Sequence, residues 1–287
     1  MNNQTTLKQI IYFPLTRIVI GIAVIVGSVA LCEWARKLFP DTFQQANDLE
    51  NGIIGFAEVF MALLSYILLF RYYEKRRIKE LSLAALPKNA LIGFLSGLMM
   101  QSLTILVIYF AAGYYLVHVN PGSFIFPGFI KAMVAGFVAE ILIVGVLFRL
   151  AEEKLGTVIA LVIAALFFVI MHSGAKGATI LSVASTAIQA GVLIPALYVF
   201  SRSLWLPIFF HFAWDFCEPG IYGGINPGIG DVQSLFESRI TGPELLTGGQ
   251  FGPGDSIQAT LFCLGAALLL LWSAKKKNGF IKPFWKE

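Results

Sequence analysis

Four ionisable side chains stand inside apolar runs of this chain: Glu140, His172, His211 and Asp215. Burying such groups in hydrocarbon costs a few kcal/mol or more apiece, so each one raises the question of a function. Glu140 sits in the middle of Phe137-Val138-Ala139-Glu140-Ile141-Leu142-Ile143-Val144, where a carboxylate suits general acid or base work. His172 ends the run Phe168-Val169-Ile170-Met171-His172, and an imidazole there can bind a metal or pass a proton. His211 and Asp215 are four residues apart, which puts both on one helix face. That pair can hold a metal jointly, or Asp215 can orient His211 while the imidazole polarises a carbonyl or a water. One acid, two histidines and a neighbouring aspartate, from three separate helices, are the inventory for activating water against an amide. A zinc ion held by Glu140, His172, His211 and Asp215 is one route and a metal-free glutamate base is the other. The plainer alternative is a set of hydrogen bonds that glue helices together.

The elements that must position these groups follow from composition. The 287 residues are 57% hydrophobic and 13% charged, with mean hydropathy +0.76, whereas soluble domains carry about 25% charged residues. Apolar runs at 13–33, 52–72, 89–112, 127–149, 157–173, 178–200, 204–217 and 257–274 predict an all-α, polytopic membrane bundle of about eight transmembrane helices. The fifth and seventh are short for a full crossing and predict helices packed within the bundle. Breaks at Leu86-Pro87-Lys88-Asn89, Asn120-Pro121-Gly122 and Lys154-Leu155-Gly156 carry helix start and stop chemistry. One integral membrane domain is expected, with amino-terminal helices over 1–126, a core bearing the polar residues over 127–217, and an external Gly/Pro-rich loop plus last helix over 218–287.

Of the 21 lysines and arginines, only Arg36, Lys37, Lys131, Lys176 and Arg239 fall at one end of these helices; the others, from Lys8 to Lys286, fall at the opposite end. Positive residues resist translocation, so the amino terminus is expected in the cytoplasm of a multi-pass protein of the cell membrane. The first apolar run follows a polar start without a dense basic cluster and lacks a cleavage site, so it reads as a retained helix. The net charge of +4 resides at helix ends and implies a lipid bilayer as partner and no nucleic acid. Cys32, Cys217 and Cys263 are too far apart for a CxxC motif and read as packing residues. His118, Glu58 and Gln101 are weaker candidates: an interfacial histidine and two polar groups that could extend a cavity or bridge helices. The basic run Arg71 to Lys79 reads as a membrane-surface anchor.

The motifs themselves resemble those of the CPBP family of intramembrane proteases, also called the CAAX protease and bacteriocin-processing or Abi family. Its pattern is EExxxR, then FxxxH, then HxxxN or HxxxD on successive helices. Phe168 with His172 matches the second motif, and His211 with Asp215 matches the third. The resemblance runs from about Gly136 to Phe216. It implies an eight-helix bundle whose site is sunk in the membrane, where glutamate and histidine activate water and the later histidine with its partner supports the oxyanion. The implied activity is endopeptidase cleavage of a membrane-associated peptide or prenylated protein. The first motif departs from the pattern, with Ala139 at the first glutamate, Glu140 at the second and Val144 at the arginine. Successive helical residues point about 100° apart, so Glu140 does not face where residue 139 faces. The alternative implied by that departure is a pseudoprotease that keeps the scaffold and holds a membrane substrate without cutting it.

Overall fold

A computed structural model describes residues 9–38, 48–175 and 178–286; Lys8 and Lys176, assigned above to opposite ends, lie outside the described residues. The chain is a polytopic helical bundle. Helix α1 (Pro14–Leu38) and helix α2 (Asp48–Tyr72) form an antiparallel pair, followed by α3 (Leu86–Phe110). Helix α4 (Ile125–Glu140) passes through a π-helical stretch, Ile141–Phe148, into α5 (Arg149–Ser173). Helix α6 (Ile180–Ile188) leads through a second π stretch, Gln189–Leu193, into α7 (Ile194–Ser201). Helix α8 (Trp205–Phe216) ends in a third, Cys217–Ile221, and after the short α9 (Glu244–Thr247) the final helix α10 (Ile257–Lys276) returns across the bundle.

Among the described residues six helical stretches are long and apolar enough to cross a membrane, against about eight predicted spans. The difference has two sources. The stretch 122–173 holds two predicted spans in one continuous run, broken only at Gly156, where φ of 79° and ψ of 164° turn the backbone. A side chain could not occupy that turn, because a Cβ would stand 2.8 Å from the backbone nitrogen of Pro283 in the returning tail. The other source is α8, whose 12 residues reach only about 18 Å at 1.5 Å each. It is the packed interior helix that its length predicted, whereas the fifth span, of which the same was expected, leaves Val158, Val162, Leu166 and Ile170 exposed along one face of α5.

Two short strands, β1 (Tyr114–Val119) and β2 (Phe236–Ile240), pair antiparallel and qualify the all-helical expectation. The third predicted span therefore stops at Phe110, and the β-branched and aromatic run after Gly113 becomes an edge ribbon. It joins the long 218–256 insertion to the rest of the fold. His118 lies on this ribbon opposite Glu237, exposed and far along the chain from any site partner.

Helix α8 is embedded because its neighbours lack side chains where it passes. A Cβ on Gly93 or Gly97 of α3 would lie 2.5 Å from the carbonyl oxygens of Leu206 or Phe210, and one on Gly136 of α4 would lie 2.8 Å from the nitrogen of Phe212. Small residues of this kind let membrane helices approach backbone to backbone. At one end of the bundle, Arg17 and Arg149 meet Glu74, Arg17 also meets Glu153, Arg76 bridges Glu74 and Glu80, and Arg202 pairs with Glu152 at 2.6 Å. Burial works against ionisation of Glu80, but the Arg76 guanidinium and the Tyr66 hydroxyl hold its carboxyl below the usual range.

Because Gly136 sets the distance between α4 and α8, Gly136→Val is expected to lower stability by about 1–3 kcal/mol through overpacking. Gly27→Ala, where a Cβ meets nothing within 4 Å, is expected to leave it unchanged. Thermal unfolding in detergent compares the two.

Candidate functional site

The close approach of α4 and α8 brings Glu140 to His211. Oε1 of Glu140 lies 2.6 Å from Nδ1 of His211, and Nε2 of the same ring lies 3.2 Å from Oδ2 of Asp215, one turn further along α8. An imidazole is thus held between two carboxyl groups. A proton in each contact makes either an imidazolium between two carboxylates or a neutral ring between one carboxylate and one carboxylic acid. Both have the same two protons and the same net charge of −1 and differ only in where one proton sits.

Glu140 is 1% exposed, and its second oxygen, Oε2, has no hydrogen-bond partner. The carboxyl thus depends on His211 for its polar contact. The π-helical stretch begins at the residue after Glu140, where the i→i+5 pattern changes which residues share a face. Val144, at the position of the motif arginine, is fully buried. Arg149 instead donates Nε to the carbonyl of Gly145 and turns toward Glu74.

His211 and Asp215 form one wall of a cavity of about 210 Å³, and His172 belongs to its lining from α5. His172 keeps its Nδ1 3.0 Å from the carbonyl oxygen of Phe168, which leaves Nε2 for the cavity. Three of the four predicted residues therefore share one pocket. Glu140 does not line it and reaches the site from behind His211.

Further groups complete the cavity. Glu218, three residues after Asp215, is buried; its Oε1 accepts the Gly254 N–H at 2.5 Å and its Oε2 accepts Nδ2 of Asn226 at 3.1 Å. The same Asn226 nitrogen donates to Oδ1 of Asp215 at 3.2 Å, so one amide holds two acids. Asp255 accepts the Thr186 hydroxyl, and Gln189 donates to the Gly254 carbonyl at 2.6 Å. Glu218, Asn226 and Asp255 were not singled out in the sequence, although the three-residue step from Asp215 to Glu218 keeps both on one helical face. Glu58 and Gln101 are buried on α2 and α3, and neither is part of this cavity; both amide atoms of Gln101 lack partners.

The contacts of His211 bear on whether zinc could be held here. Both His211 nitrogens face carboxyl oxygens, and among the described residues no group of three or more His, Cys, Asp or Glu side chains is disposed to hold an ion. Burial pushes the Glu218 carboxyl well above its usual range, with the Gly254 N–H opposing that shift. Burial also raises Asp255 to about 7, with the Thr186 hydroxyl opposing and Asp215 adding to the rise.

Residues 121–217, about a third of the chain, match the family model described as Rce1-like, type II CAAX prenyl endopeptidase Rce1-like. This match agrees with the CPBP and CAAX protease resemblance of the motifs, and the matched segment contains Glu140, His172, His211 and Asp215. No curated protein and no solved structure matches the chain.

The Asp255 shift has a defined sign. A carboxyl raised from 3.8 to about 7 on folding binds its proton more tightly in the native state, so its contribution is complete below 3.8 and is lost as pH rises toward 7. The melting temperature is expected to fall between pH 5 and pH 8, and Asp255→Asn to flatten that fall. An equal slope in wild type and variant would remove Asp255 as its source.

Proposed function

We propose that this chain is an intramembrane endopeptidase of the CAAX-protease type, hydrolysing a peptide bond in a membrane-associated peptide or prenylated protein. The observation that carries the reading is the Glu140–His211–Asp215 chain on the wall of a cavity that also contains His172. The Rce1-like match over the same segment supports it at the level of the family.

The chemistry follows from which atoms face the cavity. Asp215 takes a proton from a water as its oxygen attacks the scissile carbonyl carbon. As Asp215 takes up that proton, the His211 Nε2–H is left to donate to the developing oxyanion, where a donor in a dry site is worth far more than in water. Glu140 stabilises the imidazolium through Nδ1 and fixes the ring, which makes it a positioning residue and not the base. The proton taken from water passes to the leaving nitrogen as the C–N bond breaks, and His172 on the cavity lining is placed to assist that transfer. A carboxylic acid and an amine are the products. No metal enters these steps.

The contact with His211 gives Glu140 a role that does not need a carboxylate at residue 139. Removing the general base or the oxyanion donor is expected to cost about 10²–10⁴-fold in turnover. Asp215→Asn and His211→Ala should therefore fall by that much on a membrane-associated peptide, while purified protein retains turnover in chelator. Stoichiometric metal in the wild type that is lost in His211→Ala would replace this reading with a metallopeptidase. No turnover in the wild type, with activity gained in Ala139→Glu/Val144→Arg, would instead favour the non-cutting, substrate-holding alternative.

A further inference from the structure

The direction of each helix separates the two ends of the bundle by chemistry. Helix α5 starts at Arg149, beside Glu74, and delivers His172 at its far end; α8 starts at Trp205, bonded to the Ser82 carbonyl, and delivers Asp215 and then Glu218. Helix α10 runs the opposite way, from just after Asp255 to Lys275, Lys276 and Lys277. His172, Asp215, Glu218 and Asp255 therefore gather at one end, beneath the insertion 218–256 that supplies Asn226, Pro227 and Gly228 to the cavity. Arg17, Arg76, Arg149 and Arg202 gather at the other.

Depth agrees with this division. His172 lies 16 residues beyond the Gly156 turn, about 24 Å along α5, and Asp215 lies ten residues from the start of α8, about 15 Å. In a hydrocarbon core of about 30 Å, the cavity runs from near the middle of the membrane toward the end away from the arginine network. Among the described residues, Arg36, Lys37, Lys131 and Arg239 are the lysines and arginines at the cavity end, and none lines the cavity. Runs such as Arg71 to Lys79 and Lys275 to Lys277 stand at the other, and a bias of this size orients membrane proteins with the basic end in the cytoplasm.

We infer that the cavity opens on the non-cytoplasmic face, so that, of the two substrate classes proposed above, it takes a membrane-associated peptide presented at that surface and not a prenylated cytoplasmic tail. That a peptide is the occupant rests on the endopeptidase reading; the side of opening does not. The insertion 218–256 is then exposed outside the cell, and access to His211 runs past Asn226 and Gly228.

Single cysteines separate the two claims. In full-length protein with Cys32→Ser, Gln233→Cys marks the exposed insertion and Lys275→Cys marks the exposed end of α10. A membrane-impermeant maleimide applied to intact cells is expected to label Gln233→Cys at least tenfold more than Lys275→Cys, with the order equalised by permeabilisation. Labelling of Lys275→Cys in intact cells with Gln233→Cys protected would overturn the inference. A second measurement adds a membrane-associated peptide to the outside of sealed vesicles. Cleavage confined to right-side-out vesicles is expected, and cleavage confined to inverted ones would overturn the side of opening independently of the labels. Outside labelling of Gln233→Cys together with no cleavage in either orientation would sustain the side of opening and count against the endopeptidase reading alone.

Discussion

An imidazole clasped by two carboxyl groups inside an apolar bundle is the constraint to which the surrounding structure answers. Each of the three groups alone would be costly to bury. Together, with Glu140 2.6 Å from one nitrogen of His211 and Asp215 3.2 Å from the other, each has a polar partner within reach. The geometry needs α4 and α8 nearly in backbone contact, which is why Gly136 meets Phe212 and why Gly93 and Gly97 receive the other side of α8. The helix too short to cross the membrane is thus the one most tightly enclosed by its neighbours. That enclosure also limits which other groups can reach the ring.

Charge is partitioned along the bundle. At one end arginines and glutamates neutralise each other in a connected set through Glu74, and such a network fastens α1, α2 and α5 together near the surface. At the other end the acids have few cations and are held by neutral donors: the Asn226 amide, the Gly254 N–H and the Thr186 hydroxyl. Neutral donors satisfy a buried carboxyl without fixing it as an anion. Protonation at this end therefore remains adjustable, whereas the guanidinium pairs at the other end are permanently charged.

Much of the bundle was legible because apolar length and charge density are strong signals. The breaks were legible where glycine or proline marks them, as at Gly156. His211 and Asp215 were legible as a pair because a four-residue step is a statement about one helical face. The part played by Glu140 was not: that it lies behind the histidine depends on how α4 and α8 pack and on a π-helical stretch beginning at Ile141, which no residue pattern announces. Asn226, Gly254 and Asp255 were hidden for a different reason. They belong to an irregular segment without periodicity, and their value appears only once α8 and α10 bring its two ends together.

The clasp between Glu218 and the segment that follows it bears on modularity. The stretch with family likeness stops at residue 217, yet the acid at its border, Glu218, takes its hydrogen bonds from Asn226 and Gly254, which arrive later along the polypeptide. Transplanted into another membrane scaffold, that stretch would carry its acids and imidazoles without the amides that quench them. The candidate site is in this sense not portable: its inheritance must include the intervening segment as far as the start of α10.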